Sequence, residues 1–184
     1  MSKILWKPQS IGSTNMQKFI NYVNKAYGGN IVSYDELYKW SINDTANFWD
    51  SVWNFTEIVY SERHVDVVDN INKMPGAKWF SGSRLNFSEN LLRYRDDRVA
   101  IQFKGEHSPL QSYTYKQLYL EVEILASAFR KNGLEKGDRV VGFLPNIPET
   151  IIAMLATVSI GAIWSSCSPD FGIKGVLDRF KQIE

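Results

Sequence analysis

The second half of the sequence alternates short apolar segments with amphipathic segments, and this alternation limits the possible folds more than any other feature. Residues 98–104 (RVAIQFK), 139–144 (RVVGFL) and 162–167 (AIWSSC) have the composition of buried strands. A helical pattern follows each of them, which gives the order βαβαβα. Apolar strands joined by amphipathic helices predict a parallel sheet covered on both faces, so the predicted fold class is α/β.

The predicted helices of this half carry start and stop signals. Thr114 and Gln117 have capping-box spacing ahead of an apolar stripe. Pro148 suits the first turn of the second helix, which is expected to end at Gly161. A third helix is predicted to begin near Gly172.

The first part of the chain is rich in tryptophan and predicts three short helices. Capping boxes at Thr14 and Ser33 begin the first two, and either Asn43 or Asp44 is a candidate cap for the third. Aromatic residues at helical spacing indicate core packing. Five of the six tryptophans lie here: Trp6, Trp40, Trp49, Trp53 and Trp79. We therefore expect a helical and extended segment at 1–95 and an incomplete α/β portion at 96–184.

The segment between these two patterns is less regular. Pro75 and Gly76 predict a turn, and a short helix is expected from Ser88. The apolar side chains of an extended stretch here are predicted to be buried anchors: Trp79, Phe80, Leu85 and Phe87.

Charge and cysteine content restrict the class of protein. The net charge is +1, and acids interrupt the basic cluster of Arg93, Arg95 and Arg98, so neither nucleic acid nor an anionic membrane is expected as a partner. The single cysteine excludes an internal disulfide. The start has no signal-peptide pattern, and the apolar run 151–163 is too short for a membrane span. We therefore expect a cytosolic protein.

Several familiar catalytic motifs are absent from the sequence. It contains no GxGxxG, no GxxxxGK[ST] and no GxSxG. Its two histidines, His64 and His107, have no second ligand at zinc-like spacing, so both are predicted to be surface residues and no metal site is expected.

Two loops follow predicted strands at the edge where open α/β sheets bind ligands: residues 144–148 (LPNIP) and 166–172 (SCSPDFG). Asp170 would cap the amides of the following helix and would repel a phosphate. The second loop is therefore either a helix cap or a contact for a neutral ligand. Cys167, which has no base near it in sequence, is expected to be a small buried residue rather than a nucleophile.

Three stretches carry a resemblance to a known family. Trp79-Phe80 with LNFSENLL (85–92), and GDRVVGFLPN (137–146), resemble motifs of adenylate-forming enzymes of the acetyl-CoA-synthetase type. LNFSENLL and IWSSCSPDFG (163–172) are closer to the branch of that family that activates acetoacetate.

The resemblance implies an acid–thiol ligase that uses ATP, Mg²⁺ and CoA with acetoacetate. It places Ser168, Pro169, Asp170 and Phe171 at the pantetheine arm of CoA, although Pro169-Asp170 replaces the glycine pair of acetyl-CoA synthetases. It assigns no catalytic residue to this segment, because the phosphate loop, the carboxylate pocket and the catalytic lysine lie further along such chains. We therefore expect an N-terminal fragment that is inactive alone and whose partner is the remainder of its own chain.

Two other interpretations remain open at this stage. The chain could be a stand-alone binding module derived from a ligase, or an unrelated nucleotide-binding α/β domain. Three strands with an exposed edge predict poor solubility or oligomerisation of the isolated segment.

Overall fold

The computed structural model describes residues 5–6 and 8–183, so part of the N-terminal stretch assessed for a signal peptide lies outside the described residues. The chain divides into two compact units, Met1–Arg84 and Leu85–Glu184. The first contains α1 (Asn15–Tyr27), α2 (Tyr34–Asn43), α3 (Thr45–Phe55), β1 (Asp66–Val68) and β2 (Trp79–Ser81). The second contains α4 (Phe87–Leu91), β3 (Val99–Phe103), β4 (Gln111–Thr114), α5 (Tyr115–Lys131), β5 (Arg139–Phe143), α6 (Pro148–Ile160), β6 (Ile163–Cys167), α7 (Ile173–Phe180) and a 3₁₀ turn (Lys181–Ile183).

The three helices of the first unit form where their caps predict them. Thr14 and Ser33 accept hydrogen bonds from the third residue of α1 and of α2. Asp44 precedes α3 as expected, but its side chain makes no capping bond. The predicted aromatic core is confirmed in part: the rings of Phe19 and Phe55 meet edge to face at 5.1 Å, whereas Trp49 is 40% exposed.

The extended segment of the first unit forms a short antiparallel ribbon, β1 with β2. The prediction of buried anchors is wrong for three residues: Trp79, Leu85 and Phe87 are 41%, 48% and 57% exposed. Two three-residue strands cannot cover both faces of Trp79. Phe87 starts the five-residue helix α4, which turns Ser88 inward instead.

His64 is also misplaced by the sequence prediction, because its side chain is only 5% exposed. It packs edge-on against the rings of Trp53 and Phe80, and its Nε2 lies 3.4 Å from Oδ1 of Asp50. Asp50 also accepts a hydrogen bond from the hydroxyl of Tyr27. Burial and this bond raise the pKa of Tyr27 to about 12.

The α/β class is confirmed for the second unit, but the predicted strand order needs correction. The first predicted strand, β3, pairs antiparallel with β4, a strand that the sequence pattern did not indicate. The order is therefore ββαβαβα after α4. Parallel pairing is found between β5 and β6, in the register Arg139↔Ile163 to Phe143↔Cys167.

The core of the second unit lies between α5 and α6. Leu118, Val122 and Ala126 of α5 are buried in one cluster with Leu155 and Ala156 of α6. The predicted capping box at the start of α5 is complete, with both of its reciprocal bonds present.

The side chain of Asn86 forms hydrogen bonds that connect α4 to α6. Its Oδ1 accepts a hydrogen bond from the backbone N–H of Glu89, which caps α4. Its Nδ2 donates to the carbonyl oxygen of Val158 near the end of α6, at 2.8 Å. One residue thus satisfies groups at the ends of two helices.

Candidate functional site

The two loops singled out by the strand-end rule lie at one edge of the parallel pair. Because β5 and β6 are parallel neighbours, the segments after Phe143 and after Cys167 leave the sheet on the same side. The backbone N–H of Leu144 donates to the carbonyl of Cys167, which ties the starts of both loops together.

The four predicted ligand-contact residues form a single exposed turn. The N–H of Phe171 donates to the carbonyl oxygen of Ser168 at 3.1 Å, with Pro169 at the second position of the turn. The hydroxyl of Ser168 donates to Oδ2 of Asp170 at 2.8 Å. The turn therefore presents a hydroxyl, a carboxylate and an aromatic ring to solvent.

The prediction that Asp170 caps the following helix is wrong. Helix α7 begins at Ile173 after Gly172, and no side chain bonds to the amides of its first turn. The carboxylate is instead held by Ser168 within the turn. Of the two interpretations of this loop, the helix cap is excluded and the contact for a neutral ligand remains.

Sequence reasoning missed the residue that holds the ring of Phe171. The guanidinium carbon of Arg179 lies 3.7 Å from the centre of that ring. Gly175 is next to the side chain of Phe171, since an added Cβ would be 3.7 Å from Cδ1 of Phe171. The signal was present as the spacing Phe171, Gly175, Arg179, which places all three on one side of α7.

A tryptophan of β6, Trp164, packs closely against β5. A Cβ added at Gly142 would lie 2.6 Å from Cη2 of Trp164, so the ring occupies the space that a side chain on β5 would need. Cys167, which ends β6, is buried as predicted.

Other candidate sites in the described part of the chain are weaker. A groove of about 540 Å³ is lined by Phe129, Leu134 and Asp138 among others, but it lies at the amino end of β5, away from the ligand edge. No group of three or more metal-binding side chains occurs among the described residues. None of the described helices has the length and apolar content to cross a bilayer.

Comparison with known families decides the class of the chain. Residues 87–184 match the family described as AMP-binding enzyme, and residues 34–91 match the family described as Acetyl-coenzyme A synthetase N-terminus. The chain belongs to the AMP-binding enzyme family. This membership confirms the resemblance drawn from the sequence and overturns the interpretation as an unrelated nucleotide-binding domain.

Individual relatives within the AMP-binding enzyme family agree. Acetoacetyl-CoA synthetase of Macaca fascicularis is 46% identical over 99% of this chain and 28% of its own length. Malonamoyl-CoA synthetase vrtB of Penicillium aethiopicum is 38% identical over 99% of this chain and 26% of its own. Among solved structures, Acetoacetyl-CoA Synthetase from Streptomyces lividans matches with a TM-score of 0.90 and 35% identity, over 100% of this chain and 29% of that one. The chain thus spans a little over a quarter of the length of these relatives.

Proposed function

We propose that the chain forms the N-terminal part of an acetoacetate–CoA ligase. The observation that supports this most is the match along the whole chain to Acetoacetyl-CoA synthetases, in sequence and in fold. We assign residues 1–95 to the N-terminal segment and residues 96–184 to the first, incomplete portion of the nucleotide-binding domain.

The proposed reaction has two steps. A carboxylate oxygen of acetoacetate attacks the α-phosphorus of ATP, and pyrophosphate leaves. The sulfur of CoA then attacks the acyl carbon of the adenylate, and AMP leaves as acetoacetyl-CoA forms. Mg²⁺ would neutralise the phosphate oxygens. The resemblance places the groups that stabilise these charges beyond this segment, so the segment alone is expected to be inactive.

The role proposed for this segment is to receive CoA at the turn Ser168–Phe171. The turn is exposed at the ligand edge of β5 and β6, and Phe171 offers an apolar face beside the hydroxyl of Ser168. Such a surface suits a neutral chain of amides and methylenes. The carboxylate of Asp170 disfavours a phosphate at the same place.

The function is tested on the longer protein that contains this segment. ATP–pyrophosphate exchange that depends on acetoacetate, followed by CoA-dependent release of AMP, would support the proposal, and absence of both with every acid tried would refute it. For the turn, Asp170→Arg and Phe171→Ala should raise the KM for CoA. Asp97→Arg, the same charge change on an exposed loop elsewhere, is the control. An unchanged KM for CoA would remove the turn from the site.

A specific observation supports a second substrate, malonamate. The matched Malonamoyl-CoA synthetase covers 99% of this chain at 38% identity. Acetoacetate and malonamate are both acids with a second carbonyl separated from the carboxylate by one methylene, and they differ in a methyl against an amino group. A pocket that hydrogen-bonds the amino group discriminates strongly against the methyl. Exchange rates with both acids, and with acetate, separate the candidates.

The partner proposed for the second unit is the remainder of its own polypeptide. Val141, Phe143 and Ile163 share one face of the β5–β6 pair and are about half exposed. An apolar sheet face of this kind is normally covered. The alternative is a stand-alone binding module. The mass of the native protein distinguishes them: a band several times heavier than 21.2 kDa supports the ligase, and a band at 21.2 kDa supports the module.

The cellular setting is proposed on the same basis. A ligase for acetoacetate would act in the cytosol and serve lipid metabolism and ketone-body utilisation, with small molecules and not nucleic acids as partners. Cell fractionation followed by the exchange assay tests the location. Activity confined to an organelle would contradict it.

A further inference from the structure

The contact between Arg179 and Phe171 links the proposed CoA turn to helix α7. The guanidinium carbon of Arg179 lies over the ring of Phe171, 3.7 Å from the ring centre and within the range of a cation–π contact. Arg179 lies in the last turn of α7, whereas Phe171 precedes the helix by two residues. The contact therefore spans the full length of this helix.

Gly175 lies between these two residues in sequence, at the spacing i, i+4 and i+8. It leaves the ring uncrowded, since an added Cβ would meet Phe171 only at the ordinary contact distance of 3.7 Å.

The rest of the turn has no comparable link to α7. The hydrogen bonds of Ser168 stay inside the turn, to the carboxylate of Asp170 and to the N–H of Phe171. The first amides of α7 receive no side-chain bond. The Phe171–Arg179 stack is thus the side-chain contact that fixes the aromatic end of the turn against the helix.

We propose that Arg179 is a positioning residue for CoA, acting through Phe171. This inference rests on the proposed function. With the stack in place, the ring is already held where the pantetheine arm would meet it, so little ordering is needed when CoA binds. Without the stack, binding must first order the ring. The resulting loss of activity affects the thiol-transfer step and not the formation of the adenylate.

The test uses the longer protein and the variants Arg179→Leu and Arg179→Lys. Arg179→Leu should raise the KM for CoA about 2- to 5-fold, the range of an exposed cation–π contact, and leave acid-dependent pyrophosphate exchange unchanged. Arg179→Lys keeps the charge and should recover part of the effect. Arg130→Leu, an exposed arginine in the last turn of α5, is the matched control and should change neither quantity.

A second readout does not depend on activity. Cys167 is buried immediately before the turn, so its rate of alkylation, followed on its own peptide by mass spectrometry, reports loosening of this segment. Arg179→Leu should raise that rate about 2- to 5-fold. An unchanged rate together with an unchanged KM for CoA overturns the proposal.

A double-mutant cycle separates positioning from direct contact. Phe171→Leu keeps an apolar side chain but removes the flat ring, so adding Arg179→Leu to it should have no further effect. If Arg179→Leu still raises the KM for CoA in that background, the arginine acts on CoA directly and the inference is wrong. Equal losses in exchange and thiol transfer also overturn it. Absence of exchange in the unmodified protein refutes the proposed function instead.

Discussion

The hydrogen bonds that the side chain of Asn86 makes to α4 and α6 give a specific prediction about how the second unit is held together. In Asn86→Ala, α4 loses the acceptor that caps it and α6 loses a donor at Val158. Loss of an N-cap costs about 0.5–2 kcal/mol, and loss of a hydrogen bond costs about 0.5–1.5 kcal/mol net. The carbonyl of Val158 also accepts from the N–H of Gly161, so it is not left unsatisfied and the second figure needs no added desolvation penalty.

We therefore expect Asn86→Ala to lower the free energy of unfolding by about 1–3.5 kcal/mol. Asn86→Ser separates the two contributions, because its hydroxyl can still accept from the N–H of Glu89 but is too short to reach the carbonyl oxygen of Val158. It should lose only about 0.5–1.5 kcal/mol. Asn132→Ala is the control: that amide is exposed and bonds only within α5, so its change should stay within about 0.5 kcal/mol.

The assay is urea unfolding combined with hydrogen exchange of the α4 and α6 amides. Exchange locates the loss, because faster opening should be confined to the ends of these two helices if Asn86 links them. A change below about 0.5 kcal/mol in Asn86→Ala, or a Ser variant as unstable as the Ala variant, would refute this reasoning.

Three further predictions concern the core, the alkaline range and the sheet face. Gly142→Ala forces its Cβ to 2.6 Å from Trp164 and should cost about 1–3 kcal/mol in urea unfolding, whereas Gly172→Ala meets no atom within 4 Å and should be neutral. The pKa of Tyr27 is raised from 10.0 to about 12, so its contribution to the free energy of unfolding is full below pH 10 and is lost as the pH rises towards 12. Tyr27→Phe should flatten this alkaline loss of stability, and parallel curves of stability against pH for the two proteins would contradict the prediction. Phe143→Thr should reduce self-association of the 184-residue chain, measured by sedimentation. Unchanged self-association would mean that the apolar β5–β6 face containing Phe143 does not mediate it.

Helix signals in this sequence predicted the structure well because they are local. The capping box at Thr114 needs only residues within one turn, and Gly161 adopts φ 85° as a helix C-cap should. Strand pairing is not local, and β4 shows the consequence. Its sequence, QSYT, is short and polar, so only the neighbouring β3 makes it a strand.

Rules that consider only local sequence also fail for individual side chains of the candidate site. The rule that a carboxylate before a helix caps it assigned Asp170 to α7, but the rule does not consider a turn that competes for the carboxylate. Pro169 favours that turn, and Ser168 then lies within hydrogen-bonding distance of Asp170. The turn is consequently independent of the helix amides. Its position against α7 depends on a contact between Phe171 and Arg179, which are eight residues apart. A rule about adjacent residues misses this contact, although the i, i+4, i+8 spacing was present in the sequence.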